Sequence, residues 1–355
     1  MWRITWRDLV FRRRRFLLAS MTTAIAFAVS LLLSGVIVAV QQQNRNVVSR
    51  FHADGWWVPP GAGGPFTDGP VVAESRVDEV AALPGVTLAQ GVLLLRTTLT
   101  KVAATGGPGE VVDVNMVGVP IGGIGTPRVN KGRLVKRRGE VVVDDALHHT
   151  VGDTVLIGGK RFHVVGVANG ISYLFGVPAM FLSLPDAQGV GAHGEPALSA
   201  IVTQGLPTRG EEPAGLVRYT DHDVLADLNR VVGQGFSAVQ TMRVIMMVAA
   251  LGIVALIIYL SSLERMRDIA VLKATGASSR FVAGGLVVQA LFVTVVATAA
   301  AFGLAPFLKP LFPLRLELTA RVHLELLVFA VLVGLLASVA GIRRLLTVEP
   351  ARAFE

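Results

Sequence analysis

Cysteine is absent from the 355 residues. That excludes a disulfide-stapled exterior domain and every scheme needing a thiolate as metal ligand or nucleophile. Charge is scarce too: 16% of residues are charged, 52% are hydrophobic, and the mean hydropathy is +0.59. Such a chain is too apolar for an ordinary soluble enzyme, so the composition points to one part in a membrane and another in water. No Walker A loop is present. The nearest Gly-Gly-Lys, Gly158 to Lys160, is followed by Arg161 and has Thr154 where the first glycine belongs, so it reads as a hairpin turn and not a phosphate cradle. "GQGFSA" (233–238) fits a dinucleotide fingerprint only formally, since it precedes an apolar run instead of opening a βαβ unit; it reads as a hinge. There is no H-E-x-x-H and no G-x-S-x-G. His148, His149, His163 and the Asp221-His222-Asp223 triplet read as solvated surface, and no internal repeat is visible.

What is present begins with four charge-free runs, 16–40, 244–263, 281–308 and 326–342. A spanning helix needs roughly 17–25 apolar residues, so the first three pass easily and the fourth passes once residues 323–325 join it. The first run is too long for a signal-peptide core and reads as an uncleaved span. No charge interrupts the runs, which argues against a proton-coupled transporter.

The net charge of +8 and pI near 10.4 would suggest nucleic acid, but the charge is in the wrong place for it. Residues 41–240 hold 16 Lys and Arg against 18 Asp and Glu, whereas the rest of the chain holds 17 against 7. The excess flanks the apolar runs: Arg3, Arg7 and 12–15 before the first, Arg265, Arg267, Lys273 and Arg280 between the second and third, Arg343, Arg344 and Arg352 after the fourth. The positive-inside rule then makes both termini and the 264–280 segment cytoplasmic, with 41–240 and the 307–322 loop outside.

The expected organisation is a basic N-terminal segment 1–15, a first span 16–40, an α+β domain 41–240 and a second span with its stalk 241–263. A cytoplasmic segment 264–280, a span 281–306, a short outer loop 307–322, a span 323–342 and a tail 343–355 complete it. Within 41–240, "DGWWVPP" reads as a strand cut off by Pro59 and Pro60, and 74–83 as a short helix stopped by Pro84-Gly85. The β-branched runs 141–143, 154–157 and 161–167, with a turn at Gly158-Gly159, predict strands and a hairpin. Residues 185–190 and 221–236 predict helices, the second leading into the second span. Strands mixed with helices in this order fit a compact α+β domain.

Small residues recur at four-residue spacing in the last two spans: Ala297/Ala301, Ala299/Gly303, Gly334/Ser338 and Ala337/Gly341. They let helices approach closely, within one chain by default and across a dimer as the second option. A basic cluster outside the spans, Arg128, Lys131, Arg133, Lys136, Arg137 and Arg138, could meet anionic headgroups or an acidic ligand. A solvated loop is the blander reading. The segment "ERMRDIAVLKATGASSRF" (264–281) is too charged to span. On a helix it has apolar contacts in more than one direction, as a piece wedged between the bundle and a second protein would. Gly276 can cap its end, and Ser278 and Ser279 can start the next span.

That segment resembles the signature of the FtsX-like and MacB-type ABC transporter permeases, roughly E-R-x-R-E-I-[AG]-[VIL]-L-K-A-[LI]-G-A-[ST]. Glu264, Arg265, Arg267, Ile269, Ala270, Leu272, Lys273, Ala274, Gly276, Ala277 and Ser278 match, while Asp268 replaces the usual Glu and Thr275 an aliphatic residue. "VEPARAFE" resembles the family's closing D-P-A-x-A-L, and 139–167 is similar to its outer-domain core. The order of one span, a large outer domain and three spans also matches. The resemblance implies a membrane α-helical fold with four transmembrane helices and a large extracytoplasmic α+β domain between the first two. It implies a non-catalytic permease subunit of the type VII, mechanotransmitting kind, in a bacterial cytoplasmic membrane, as a homodimer or as one of a pair of related permeases. No cofactor is expected in this chain; ATP and magnesium are expected on two copies of a separate ATP-binding subunit. Glu264, Arg265, Arg267, Asp268, Ile269, Leu272, Lys273, Gly276 and Ala277 would form the coupling helix that docks on it. Membrane lipid and an extracytoplasmic adaptor or substrate protein are the other implied partners, and nucleic acid is not. Export or extraction of a peptide, drug or lipid-like substrate leads the implied functions. Regulation of a cell-wall hydrolase and a non-transporting receptor or scaffold are the alternatives.

Overall fold

The computed structural model describes residues 13–67, 71–102, 108–207, 212–264, 266, 271, 278–312, 316 and 318–346. Four helices are long and apolar enough to cross a membrane: α1 (Arg13–Ser49), α4 (Asp221–Glu264), α5 (Ser279–Leu308) and α6 (Ala320–Leu346). Two short helices, α2 (Arg76–Ala81) and α3 (Leu184–Gly191), lie between α1 and α4 in the chain. The chain divides into two compact units, residues 40–234 on one side and residues 1–39 with 235–355 on the other.

The 40–234 unit is built on one ten-stranded sheet. Its strands are β1 (Gly55–Val58), β3 (Leu88–Val102), β4 (Pro108–Val119), β5 (Val129–Gly132), β6 (Glu140–Asp144), β7 (Thr154–Ile157), β8 (Lys160–Ala168), β9 (Ala179–Ser183), β11 (Ala200–Gln204) and β12 (Val217–Tyr219). The order is β12-β1-β11-β3-β4-β9-β6-β8-β5, with β7 paired to β3 and β8; β4/β9 and β6/β8 run parallel. A two-stranded piece, β2 (Val72–Ala73) with β10 (Ala197–Leu198), stands apart from it.

Period-two alternation sorts side chains onto the two faces, and both faces are buried. Trp56 and Val142 belong to one core with Phe51, Phe66 and Phe181. Trp57, Val141 and Val143 belong to the other with Leu93, Phe162 and Met180. Burial on both faces is why β6 reads as an unbroken valine run instead of alternating with polar residues. On the first face Trp56 touches Phe51 and Phe66, with ring centroids 4.9 and 5.8 Å apart. The Trp56 indole N–H donates to Asp221 Oδ1 at 2.8 Å, which ties β1 to the start of α4.

Several local expectations hold. β1 stops before Pro59, and α2 forms over a shorter range than 74–83. β7 covers 154–157, and Gly158 and Gly159 make the turn with positive φ of 54° and 79°. The expected hinge at 233–238 is absent, because α4 passes through those residues as one unbroken helix. Glycine lowers helix propensity by about 1 kcal/mol per residue. Here the buried Val224, Leu228 and Val232, spaced for one helix face, hold α4 together ahead of Gly233.

In the other unit the small residues serve packing within the chain. Ala297, Ala301 and Ala337 are fully buried, and a Cβ added at Gly334 would meet Thr294 Oγ1 at 2.9 Å and Leu291 Cδ2 at 3.0 Å. The Ala299/Gly303 pair is different: Ala299 is exposed and Gly303 faces open space. Arg243 of α4 lies 3.8 Å from Glu325 of α6, an ion pair at the edge of the charge-free runs.

Candidate functional site

The segment singled out by its signature falls mostly outside the described residues: Arg265, Arg267, Asp268, Ile269, Leu272, Lys273, Gly276 and Ala277 all lie there. Glu264 is the exposed last residue of α4, and Met266 and Val271 are helical. Where the next span begins, Ser278 is the N-cap of α5 and its hydroxyl accepts from the Phe281 N–H at 3.2 Å, as expected for a serine placed there.

Immediately before the segment, three helices are knit together. Ser261 and Ser262 on α4 are buried, and Gln289 Nε2 of α5 donates to Ser261 Oγ at 3.2 Å. The Ser262 hydroxyl donates back to the Ile258 carbonyl at 2.8 Å. A Cβ placed on Gly341 of α6 would lie 2.9 Å from Ile258 Cγ2, 3.0 Å from Ser262 Oγ and 3.2 Å from Leu286 Cδ1 of α5. Bare backbone at Gly341 therefore lets α6 close on α4 and α5 at this level.

The basic cluster resolves into separate parts. Arg133 holds Glu140 in a two-point grip, Nη1 to Oε2 at 2.7 Å and Nη2 to Oε1 at 2.6 Å. Arg137 Nε adds a bond at 2.8 Å and the Lys136 backbone N–H one at 3.0 Å. Glu140 is 3% exposed, and the Arg133 guanidinium holds its carboxyl far below the usual carboxylate range. Two of the six cations are thus spent on a buried carboxylate. Lys131 lines a recess of about 620 Å³ with Asp145 and His149, while Arg138 is exposed.

Arg128, the sixth, lines a larger cleft of about 810 Å³ together with Arg50, a residue that no motif or charge cluster marks. Arg50 directly follows the last residue of α1, and its Nη2 donates to the Gly170 carbonyl at 2.7 Å. Burial lowers the Arg50 pKa, nearby Asp144 works against that, and Arg128 adds to the lowering. Asp144 is buried, accepts from the Ser172 hydroxyl at 2.7 Å and the Ala146 N–H at 3.0 Å, and burial pushes its pKa up to about 6. The cleft wall is fixed by Gln90, whose Oε1 accepts from the Ile124 N–H at 2.7 Å. Gly125 sits there at φ 86°, and a Cβ added to it would collide with the Phe51 ring. A cue for Arg50 existed only as a lone cation past a long apolar run, and such residues usually mark nothing more than a span's end.

Residues 16–230 match the family described as MacB-like periplasmic core domain, and residues 241–350 match FtsX-like permease C-terminal. An uncharacterized ABC transporter permease of Mycobacterium tuberculosis is 32% identical over 348 residues, covering 98% of this chain and 97% of that one. One from Mycobacterium bovis matches with the same identity and coverage. Among solved structures, the periplasmic region of MacB from Actinobacillus actinomycetemcomitans aligns with a TM-score of 0.35 at 10% identity, over 50% of this chain and 92% of that one.

Proposed function

The chain belongs to the ABC transporter permeases of the MacB and FtsX type, and from that premise we propose that it carries ATP-driven motion from a separate ATP-binding subunit to the 40–234 unit. It is a multi-pass membrane protein. In this reading residues 264–280 are the coupling helix, docked on two partner subunits that bind ATP and magnesium. Both termini are cytoplasmic, the 40–234 unit is outside, and a second permease copy completes the assembly. The work done is export or extraction of a peptide, drug or lipid-like substrate.

One observation carries the reading. The signature segment leaves α4 directly after Ser261 and Ser262, where α4, α5 and α6 are locked together by the Gln289–Ser261 bond and the close approach at Gly341. A push on the segment would therefore move several helices as a unit and not merely bend a loop. The apolar residues of the signature would enter a groove on the partner, where a carboxylate would be desolvated without a counter-charge.

The test is reconstitution of the permease with its ATP-binding subunit. Ile269→Asp and Gly276→Asp should each lower complex formation and ATP-driven activity by roughly tenfold or more, as for a charge forced into a buried interface. Limited proteolysis of the 40–234 unit should be unchanged. Full activity in both variants would remove the coupling assignment.

A further inference from the structure

We propose that the cleft of about 810 Å³ in the 40–234 unit is a binding site for a phosphate-bearing ligand, held between the guanidinium groups of Arg50 and Arg128. The first ground is charge. Two arginines line the cleft, the remaining polar side chains include the carboxamides of Gln90, Asn130 and Asn169, and no Asp or Glu lines it. The same domain shows what it does with an arginine pair that needs neutralising: Arg133 and Arg137 close on Glu140 at 2.6 and 2.8 Å. Arg50 instead meets backbone carbonyls, and Arg128 has no ion-pair partner among the described residues.

The second ground is the supply of donors. Arg50 spends Nη2 on the Gly170 and Asn169 carbonyls, which leaves Nε and Nη1 for another acceptor. Asn130 uses its Oδ1 to accept from the Asn169 N–H at 3.0 Å, so what its carboxamide still offers is N–H. Donors from position 50 and from the neighbouring positions 128 and 130 come from two chain segments far apart in sequence and line one space. A tetrahedral group with several acceptor oxygens fits that better than a flat carboxylate, and arginine forks match phosphate oxygens two at a time. The third ground is preorganisation. Gln90 pins the wall at Ile124, and buried Asp144 supports the positive charge of Arg50. The volume is that of a site for a molecule of moderate size.

The phosphate could arrive on a lipid headgroup or on a soluble compound, and the experiment separates the two. The site is measured on the full-length permease without any ATP-binding subunit, so its failure leaves the coupling reading untouched, and the reverse holds as well. Titration calorimetry in neutral detergent would use inorganic phosphate, glycerol 3-phosphate, short-chain phosphatidylglycerol and, as the phosphate-free control, short-chain diacylglycerol. The phosphate-bearing probes bind and diacylglycerol does not. Arg128→Gln weakens binding by roughly tenfold, the worth of one charge-assisted contact, and added salt weakens it too. Arg138→Gln, outside the cleft, has no effect. Arg128 is exposed and holds nothing else together, so this variant stays readable even if Arg50→Gln fails to fold. Binding by the small phosphates identifies a soluble ligand, and binding by phosphatidylglycerol alone identifies a headgroup. If no phosphate-bearing probe binds, or Arg128→Gln binds as the wild type does, the proposal is overturned.

Discussion

Glu140 and Asp144 open and close the same strand, yet their surroundings drive their acidities in opposite directions. Glu140 is ionised by design: Arg133, Arg137 and the Lys136 N–H all donate to it. Its folded pKa lies below the unfolded value near 4.3, so its stabilisation is complete above that value and is lost as pH falls through the folded one. Glu140→Gln should therefore cost on the order of 1–3 kcal/mol at pH 7, less than for a fully buried pair because its arginines are partly solvated. The gap from wild type, read by thermal unfolding, should begin to narrow below about pH 4. Asp144 behaves the other way. Its pKa is pushed up to about 6 by burial, so the folded state holds the proton more tightly than the unfolded chain does. Stability drawn from that proton is present at low pH and lost as pH rises from about 4 through 6. Asp144→Asn keeps an oxygen to accept from the Ala146 N–H and turns an NH2 toward Ser172, whose hydroxyl oxygen can accept in place of donating, without the buried charge. It should raise the unfolding temperature at pH 7.5, by on the order of 1–2 kcal/mol in stability, and leave it nearly unchanged near pH 3, below the unfolded pKa. A stabilising effect equal at both pH values would show that burial does not raise this carboxyl.

Among the elements, the membrane helices offer a test of what their glycines are for. Gly334 and Gly341 press against neighbouring side chains, whereas Gly252 and Gly303 face open space. Leucine at either of the first two should cost about 1–3 kcal/mol by overpacking, read as a lower unfolding temperature in detergent. Leucine at Gly252 or Gly303 should be neutral or slightly stabilising, because helix propensity improves with no collision. Equal losses at all four positions would mean that packing does not set their role. The spacing of Gly303, Gly334 and Gly341 was legible in the sequence because a helix repeats every 3.6 residues and four-residue pairs share a face. The strand at 154–157, its glycine turn and the Ser278 cap were legible for similar local reasons. The hinge expected at 233–238 was not: two glycines weaken a helix locally, but packing upstream of them outweighs that weakness, and packing has no signature at that spacing. The arginine cluster misled for a related reason. Glu140 lies only a few residues beyond Arg133 and Arg137, but nothing in the order of residues says that it is buried and grips both. Arg50 escaped notice because its cleft is assembled from residues near 50, 90, 125 and 169, which only the sheet order brings to one place.

At the scale of the whole molecule, the proposed coupling makes its largest demand on α4. It is one helix of 44 residues, roughly 65 Å at 1.5 Å per residue, starting in the 40–234 unit and ending in the other. Its first turn is fixed by the Trp56 bond to Asp221, and its last turns by Gln289 and Gly341. A helix held at both ends transmits displacement along its axis, provided it stays straight between them. Gly233 tests that condition cleanly, because a Cβ there meets nothing within 4 Å and a substitution acts on the backbone alone. Gly233→Ala should stabilise α4 by about 0.5–1 kcal/mol and preserve activity. Gly233→Pro removes a helix hydrogen bond and clashes with the preceding turn, a cost of about 3 kcal/mol met by kinking. The readout uses the absence of native cysteine: a spin label on a cysteine introduced at exposed Val151 and another at exposed Leu256 report the distance between the units on ATP addition to the reconstituted complex. The wild-type and alanine chains should show an ATP-dependent distance change. The proline chain should lose it while still binding the ATP-binding subunit and hydrolysing ATP, since the break lies far from residues 264–280. If the proline chain shows the full distance change, α4 is not the transmitting element, and the motion must reach the 40–234 unit by another route, of which α1 is the other continuous helix.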